Sequence, residues 1–313
     1  MASPASTATI GSIADKIACG ANSNANTGKR GCLSLFGTPE HLILLTKGTI
    51  VPTSTVFNLE YIKALVQNGK AIPLMFASAF EDVSAEDTYS TNSAGIKRLN
   101  LKGLPEYKLM FEEGHEFYKQ LHKLEGYKSF DFVVGDDEGN WMFAERSDGS
   151  FQGFTGGHTT PELTKRKVAG GDAESKSFLF QFLDRRQVDV DYAIIHQGQL
   201  DFVPNELPLI NGVNIDFTES PASGSVEVKF SVVLSGDNNT KITAISSTDI
   251  RYSVDGVEEV PTAISQSGEG VYVITVDPLV QGKSITVAMA DANDLVADIE
   301  GVLYRGSNSV EVS

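Results

Sequence analysis

The side chains able to do chemistry in this chain are few and scattered. Its five histidines are His41, His115, His122, His158 and His196. His115-Glu116 opens the pattern of a zinc-binding helix. That motif needs a second imidazole four residues on, so that both reach one ion, and Lys119 stands there instead. His115 and His122, seven apart, would share a helical face, where surface or half-buried positions suit them better than metal ligation. Asp136, Asp137, Glu138 and Asn140 crowd oxygens into a short run. A calcium loop of the EF-hand kind needs alternating ligands, a central glycine and a distant bidentate Glu. That arrangement is absent, and a turn explains the run. Asp189 and Asp191 are carboxylates two apart with no partner base or pocket signature, and a glycosidase pair is not recognisable from spacing alone.

Phosphate and nucleophile motifs fail in the same way. Gly28-Lys29-Arg30 has Arg30 where a phosphate loop needs the magnesium-binding hydroxyl. Gly153 to Gly157 lies between strands rather than before a helix, so it is no dinucleotide loop. No GxSxG occurs, and neither Cys19 nor Cys32 sits in a thiol-hydrolase motif. Two thiols are too few for a zinc site, and one disulfide and two idle thiols both stay open. Lys165-Arg166-Lys167 reads as a solvated loop or a contact to an acidic neighbour. No catalytic residue, metal or cofactor is expected, and the chain is not expected to be an enzyme.

The totals point the same way. With 25 basic and 41 acidic residues the net charge is −16, which opposes tight nucleic-acid binding because each phosphate contact needs a cation. An acidic surface can still face DNA that must pass without sticking. Hydrophobic content of 41% supports globular packing, and 313 residues favour two domains. The N-terminal MASPASTATIGSIADKIACG has no basic region followed by an apolar run, so no secretory leader is expected. The longest early apolar run, Leu42 to Leu45, is far below the roughly 20 residues that span a bilayer. No membrane span is expected.

Three segments must carry these residues. Residues 1–31 are small and polar and read as an N-terminal arm, ordered by a neighbour rather than by the chain's own core. Residues 32–220 read as an α+β assembly domain with one main antiparallel sheet system and two helices. One helix is expected over Asn58–Asn68, capped by Asn58, with Leu59, Ile62, Leu65 and Val66 on one face and Gly69 as the stop. The spacing of Leu104, Tyr107, Phe111, Tyr118, Leu121 and Leu124 predicts a second helical stretch, weakened and open to splitting at Gly114. Asp131 to Phe154 reads as three short strands with turns at Asp136–Gly139 and Asp148-Gly149. Further strands are expected at 178–183, 192–196 and 213–217.

The segment from Glu81 to Leu101 is polar and about 20 residues long. It reads as a long hairpin or a surface loop, a length that usually signals function or a bound partner. Glu81, Asp82, Tyr89, Ile96, Arg98 and Leu99 are its candidate inter-subunit contacts. Residues 221–313 change texture. SVEVKFSVVL, KITAIS, IRYSV, VYVITV, SITVAMA, LVADIEGVLY and SVEVS are all strand-like, at the spacing of a β-sandwich without a disulfide. This segment holds 13 acidic and 5 basic residues, as suits a well-solvated module. The fold class is therefore α+β to mainly β, an antiparallel-sheet domain followed by an Ig-like sandwich.

The stretches FDFVVGDDEGNWMFAERSDGSFQGF, LFQFLDRRQVDVDYAIIH and DLVADIEGVLYRGSNSVEVS carry a resemblance over residues 100–313. In texture and order the chain resembles structural proteins of tailed-bacteriophage virions, in particular tail-tube-like subunits with a C-terminal Ig-like domain. The resemblance implies no catalytic residues. It implies a β-sheet domain that forms rings, a long loop that reaches the neighbouring ring, and Ig-like domains that decorate the outside. The implied partners are copies of the chain itself, other virion proteins and DNA passing through without specific binding. The implied location is the virion, assembled in the host cytoplasm. A capsid, neck or decoration protein would use the same ingredients, and a carbohydrate- or receptor-binding module is the alternative from a different class.

Overall fold

Asp136 organises a turn by burying a carboxylate and satisfying it. The residue is fully buried. Its oxygens accept from the Gly37 and Asn140 backbone N–H groups at 2.7 Å, from Glu138 N–H at 3.0 Å and from the Asn140 amide at 2.8 Å. Four donors offset the cost of removing the charge from water. Gly139 closes the turn at φ 82°, a conformation that costs a residue without a side chain little. The oxygen-rich run is thus a structural turn.

The computed structural model describes residues 8–16, 36–124, 130–162, 174–235, 237–259, 261–290 and 296–313. Cys19, Cys32, Gly28-Lys29-Arg30 and Lys165-Arg166-Lys167 lie outside the described residues. The chain forms two compact units, one from residues through Lys63 and from Lys70–Leu207, the other from Ala64–Gly69 and Pro208–Ser313.

In the first unit the strands are β1 (Asp15–Lys16), β2 (Pro39–Thr46), β3 (Ile50–Val51), β4 (Ala71–Leu74), β5 (Ala79–Asp82), β6 (Thr88–Thr91) and β7 (Lys97–Leu101). There follow β8 (Glu106–Phe111), β9 (Phe130–Asp136), β10 (Trp141–Glu145), β11 (Phe151–Gln152), β12 (Phe154–Pro161), β13 (Lys176–Phe182) and β14 (Tyr192–Ile195). The helices are α1 (Ile10–Ile13), α3 (His115–Lys123) and α4 (Arg185–Asp189), with α2 (Leu59–Gln67) divided between the two units after Lys63. β9 is the spine. One edge pairs with β2 from Thr46↔Phe130 to Pro39↔Asp136. The other edge forks: Val134 and Gly135 pair with β10, while Asp131 and Phe132 pair with β12. From the fork β10 leads to β14 and β1, and β12 leads through β13 and β8 to β5.

Alternation explains the core. Phe178, Phe180 and Phe182 sit at every second position of β13 and are buried together with Phe132 and Phe154. Phe132 and Phe180 pack with ring centroids 5.0 Å apart, and Phe154 and Phe182 at 5.3 Å. Helix α2 forms as its sequence indicates. Asn58 Oδ1 accepts from Tyr61 N–H at 2.9 Å, Ile62 and Val66 are buried, and Gly69 turns the chain out at φ 66°.

Several expectations require correction. The stretch around Tyr107 is strand β8, and only His115–Lys123 is helical. Pairing with β13 on one side and β5 on the other buries Leu109 and Phe111, and tertiary pairing overrides helical spacing. Residues 8–16 pack on the chain's own core: Ile10 is fully buried, Ile13 nearly so, and Thr9 bridges Val56. Spacing of three on one helical turn supplies that apolar stripe. The strand expected at 213–217 is part of the second unit, so the boundary falls near Pro208 rather than after residue 220.

The second unit comprises β15 (Ile210–Phe217), β16 (Glu227–Leu234), β17 (Asp237–Lys241), β18 (Ile250–Val254), β19 (Val257–Glu259), β20 (Ala263–Gly268), β21 (Val271–Thr275), β22 (Ser284–Met289), β23 (Ala297–Ile299) and β24 (Val302–Glu311). The strands form an Ig-like sandwich. β15-β16-β21-β20 make one layer and β19-β18-β22-β24 the other. β15 serves both: Ile210–Gly212 runs parallel to β24, and Val213–Phe217 antiparallel to β16. Val228, Phe230, Val232 and Ile274 from one layer meet Ile250, Ile285 and Val287 from the other in a single buried cluster. Most of KITAIS is a connection rather than a strand, with Ile242 and Ile245 still buried. Tyr272 ties it down, its hydroxyl donating to Ile242 C=O at 3.0 Å and accepting from Ile245 N–H at 3.4 Å.

Candidate assembly surface

β5 and β8 are the two sides of a hairpin stem at the edge of the first unit's sheet, and β6 and β7 are its continuation as a separate two-stranded sheet. The segment 79–111 is therefore one long hairpin whose outer part leaves the domain. Turn chemistry closes it locally. Asn92 Oδ1 accepts from Ala94 N–H at 3.0 Å and Ile96 N–H at 2.9 Å, and Gly95 takes φ 80°. Asparagine mimics a backbone turn and glycine supplies the positive φ. Beyond the stem the tip extends roughly 15–20 Å at strand rise.

Every residue from 88 to 102 is exposed. Among them Tyr89, Ile96, Leu99 and Leu101 expose 57%, 58%, 44% and 67% of their surface. Tyr89 pairs directly with Leu99 and shares a face with it. An isolated two-stranded hairpin is marginal in water, and apolar groups left on it gain from being covered. The same stretch carries Lys97, Arg98 and Lys102 and no acidic residue, in a chain of net charge −16. The tip is apolar and basic while the chain as a whole is acidic.

At the base of the tip the ladder is interrupted. The last stem bond runs from Val83 N–H to Glu106 C=O at 2.9 Å, supported by Glu106 N–H to Ser84 Oγ at 3.0 Å. Asp87 Oδ1 then accepts from Gly103 N–H at 2.8 Å and from Arg185 Nη1 at 2.5 Å. Those two donors, the Gly103 amide first, hold the Asp87 carboxyl below its ordinary range. A Cβ on Gly103 would lie 1.7 Å from Ala85 C=O, so only glycine permits this approach.

The stem has its own electrostatics. Lys108 reaches Glu162 at 2.9 Å and Glu81 at 3.5 Å, and the Glu162 bond leads in raising its pKa. Just before β5, Phe76 takes φ 59°, and its N–H donates to Nδ1 of the buried His41 at 3.2 Å. Burial outweighs the nearby Asp136 and Asp137 and lowers the His41 pKa to about 4.

The candidate contacts divide between stem and tip. Glu81 and Asp82 lie on the stem's edge strand β5, Glu81 with Lys108 and Asp82 accepting from Ser84 N–H. Tyr89, Ile96, Arg98 and Leu99 lie on the tip. Alternation along β7 extends the apolar set to Leu101, which the sequence reading passed over. Asp87, Gly103 and Arg185 carry no local signal at all. Among the other residues weighed for chemistry, His115 and His122 are exposed on α3, and His115 lies 3.4 Å from Glu174. Asp189 and Asp191 are occupied by Arg185 at 3.1 Å and Arg186 at 2.7 Å. Among the described residues no helix is long and apolar enough to cross a membrane.

Comparison with known proteins adds little. No family model matches the chain, and no curated protein matches it. Among solved structures it is similar to the mouse nectin-like molecule 4 full ectodomain (Ig1–Ig3), at 10% identity over 88% of this chain and 95% of that one. The TM-score of 0.17 is too low for that likeness to carry weight.

Proposed function

We propose that this chain is a non-enzymatic structural subunit of a tailed-bacteriophage virion that assembles with copies of itself into stacked rings of a tail tube. The observation that carries this reading is the β6–β7 tip, an ordered hairpin that leaves its own domain with four large apolar side chains and three cations uncovered. A second copy of the same acidic chain offers both an apolar cover and the complementary charge. The tip is the arm of the assembly, and Tyr89, Ile96, Leu99 and Leu101 are its contacts. The net charge of −16 suits a wall along which DNA slides without adhering. The Ig-like unit decorates the assembly, and other virion proteins complete its ends.

Negative-stain imaging of the purified chain at high concentration tests the proposal. Rings or tubes of regular diameter are expected. A protein that stays monomeric at every concentration reached defeats it.

A further inference from the structure

A tip that must meet a neighbour needs a direction as well as a sticky surface. Between the stem and the tip, residues 83–87 and 102–105 form no strand ladder, so the two halves of the hairpin are joined by a gap on which the tip could swing. One side chain from elsewhere in the chain spans that gap. Arg185 Nη1 donates to Asp87 Oδ1 on the outgoing segment and, at 3.1 Å, to Gly103 C=O on the returning segment. Its Nε donates to Asp189 Oδ2 at 3.1 Å. A guanidinium holds several acceptors in one plane, which an ammonium cannot do.

Arg185 is itself anchored. It opens α4, whose N-cap Asp184 accepts from Arg186 N–H at 3.0 Å. Gln187 on the same turn accepts from Thr155 N–H at 2.8 Å and donates to Thr155 Oγ1 at 3.1 Å, fixing α4 to β12. The connection therefore runs from the sheet through Thr155, Gln187 and Arg185 to both strands of the arm. We infer that Arg185 is the positioning residue of the arm, the group that sets the direction in which the β6–β7 tip is presented to a neighbouring copy. This rests on the assembly reading above. Arg185 lies outside the sheet's own ladder: β8 and β13 pair over six residues without it, and its side chain is 31% exposed.

The arm carries its own reporters. Lys97 and Arg98 lie on the tip, and Lys102 adjoins Gly103 at the clamp, so trypsin reads the two places separately in one digestion. In Arg185→Ala, cleavage after Lys102 under native conditions is expected to quicken by about tenfold or more, with cleavage after Lys97 and Arg98 within about twofold of the parent. Sedimentation of the same samples is expected to show less than about half the parent's assembled fraction, because an intact tip that is no longer aimed meets its neighbour less often. Arg185→Lys keeps the charge without the fork and is expected to fall between the two. It carries the comparison if the alanine variant fails to fold, which the unfolding midpoint reports. Unchanged cleavage after Lys102 overturns the inference, as does faster cleavage with undiminished assembly. A parent that never assembles defeats the assembly reading instead, while the cleavage ratio still decides whether Arg185 holds the arm.

Discussion

Arg185 and Asp87 lie 98 residues apart in sequence and 2.5 Å apart in space. Their contact joins a short helix of the domain to the root of a hairpin that has no core of its own. The pair is half-buried, with side chains 31% and 23% exposed. It links a scaffold held by packing to an arm held by turn chemistry and hydrogen bonds.

Assembly should weaken with salt. Lys97, Arg98 and Lys102 approach an acidic neighbour through water, and ionic strength above about 0.5 M screens exposed charges beyond a few ångströms. The concentration needed for assembly is expected to rise several-fold between low salt and that level. Light scattering at fixed protein concentration measures it. Salt-independent assembly would leave the tip's charge without a role.

Acid should loosen the first unit through His41. Its folded pKa is near 4, against 6.5 for the ordinary imidazole. The folded state prefers the neutral ring, so this contribution is complete above pH 6.5 and is lost as pH falls through the window from 6.5 to 4. The loss approaches roughly 3 kcal/mol. Protonation also turns Nδ1 from an acceptor into a donor facing Phe76 N–H. Urea midpoints of the parent and His41→Gln at pH 7.5 and 4.5 isolate the effect, and parallel pH slopes would contradict it.

Alkali should act on the other unit through Tyr252. Burial, then the hydrogen bond to Glu259, raises its pKa to about 12. Its contribution is complete below pH 10 and is lost as pH rises from 10 to 12, on the order of 2 kcal/mol. Tyr252→Phe should flatten that part of the stability profile. Equal alkaline slopes in the two proteins would show that the hydroxyl is not involved.

Gly306 marks where β24 passes close to β15. A Cβ there would lie 2.2 Å from Val213 C=O. Gly306→Ala is therefore expected to cost about 1–3 kcal/mol, read as a lower melting temperature for residues 208–313 with the first unit unchanged. An unaltered melting profile would mean that the crossing yields without strain.

What could be read in advance was local. The Asn58 cap, the Gly69 stop and the turn at Asp136–Gly139 are each set by side chains within a few residues, and all three appear as the sequence indicates. Tyr107 and Phe111, four apart, fit helical and extended periods alike, and partners β5 and β13 decided for a strand. Val213–Phe217 was legible as a strand but not as a member of the sandwich, because it pairs with Phe230–Leu234 across the very connection where the texture changes, and the Ile210–Gly212 half of the same strand pairs with β24, far along the chain. The arm's apolar residues were visible as a segment without a core. The fork of Arg185 was invisible, since nothing near residue 185 points to residue 87.

Sedimentation velocity on the parent chain beside Leu99→Asp tests the central claim most directly. Leu99 sits on the exposed tip opposite Tyr89, so the variant should fold with the parent's unfolding midpoint while its large species disappear. If Leu99→Asp assembles as the parent does, the arm is not what joins the subunits.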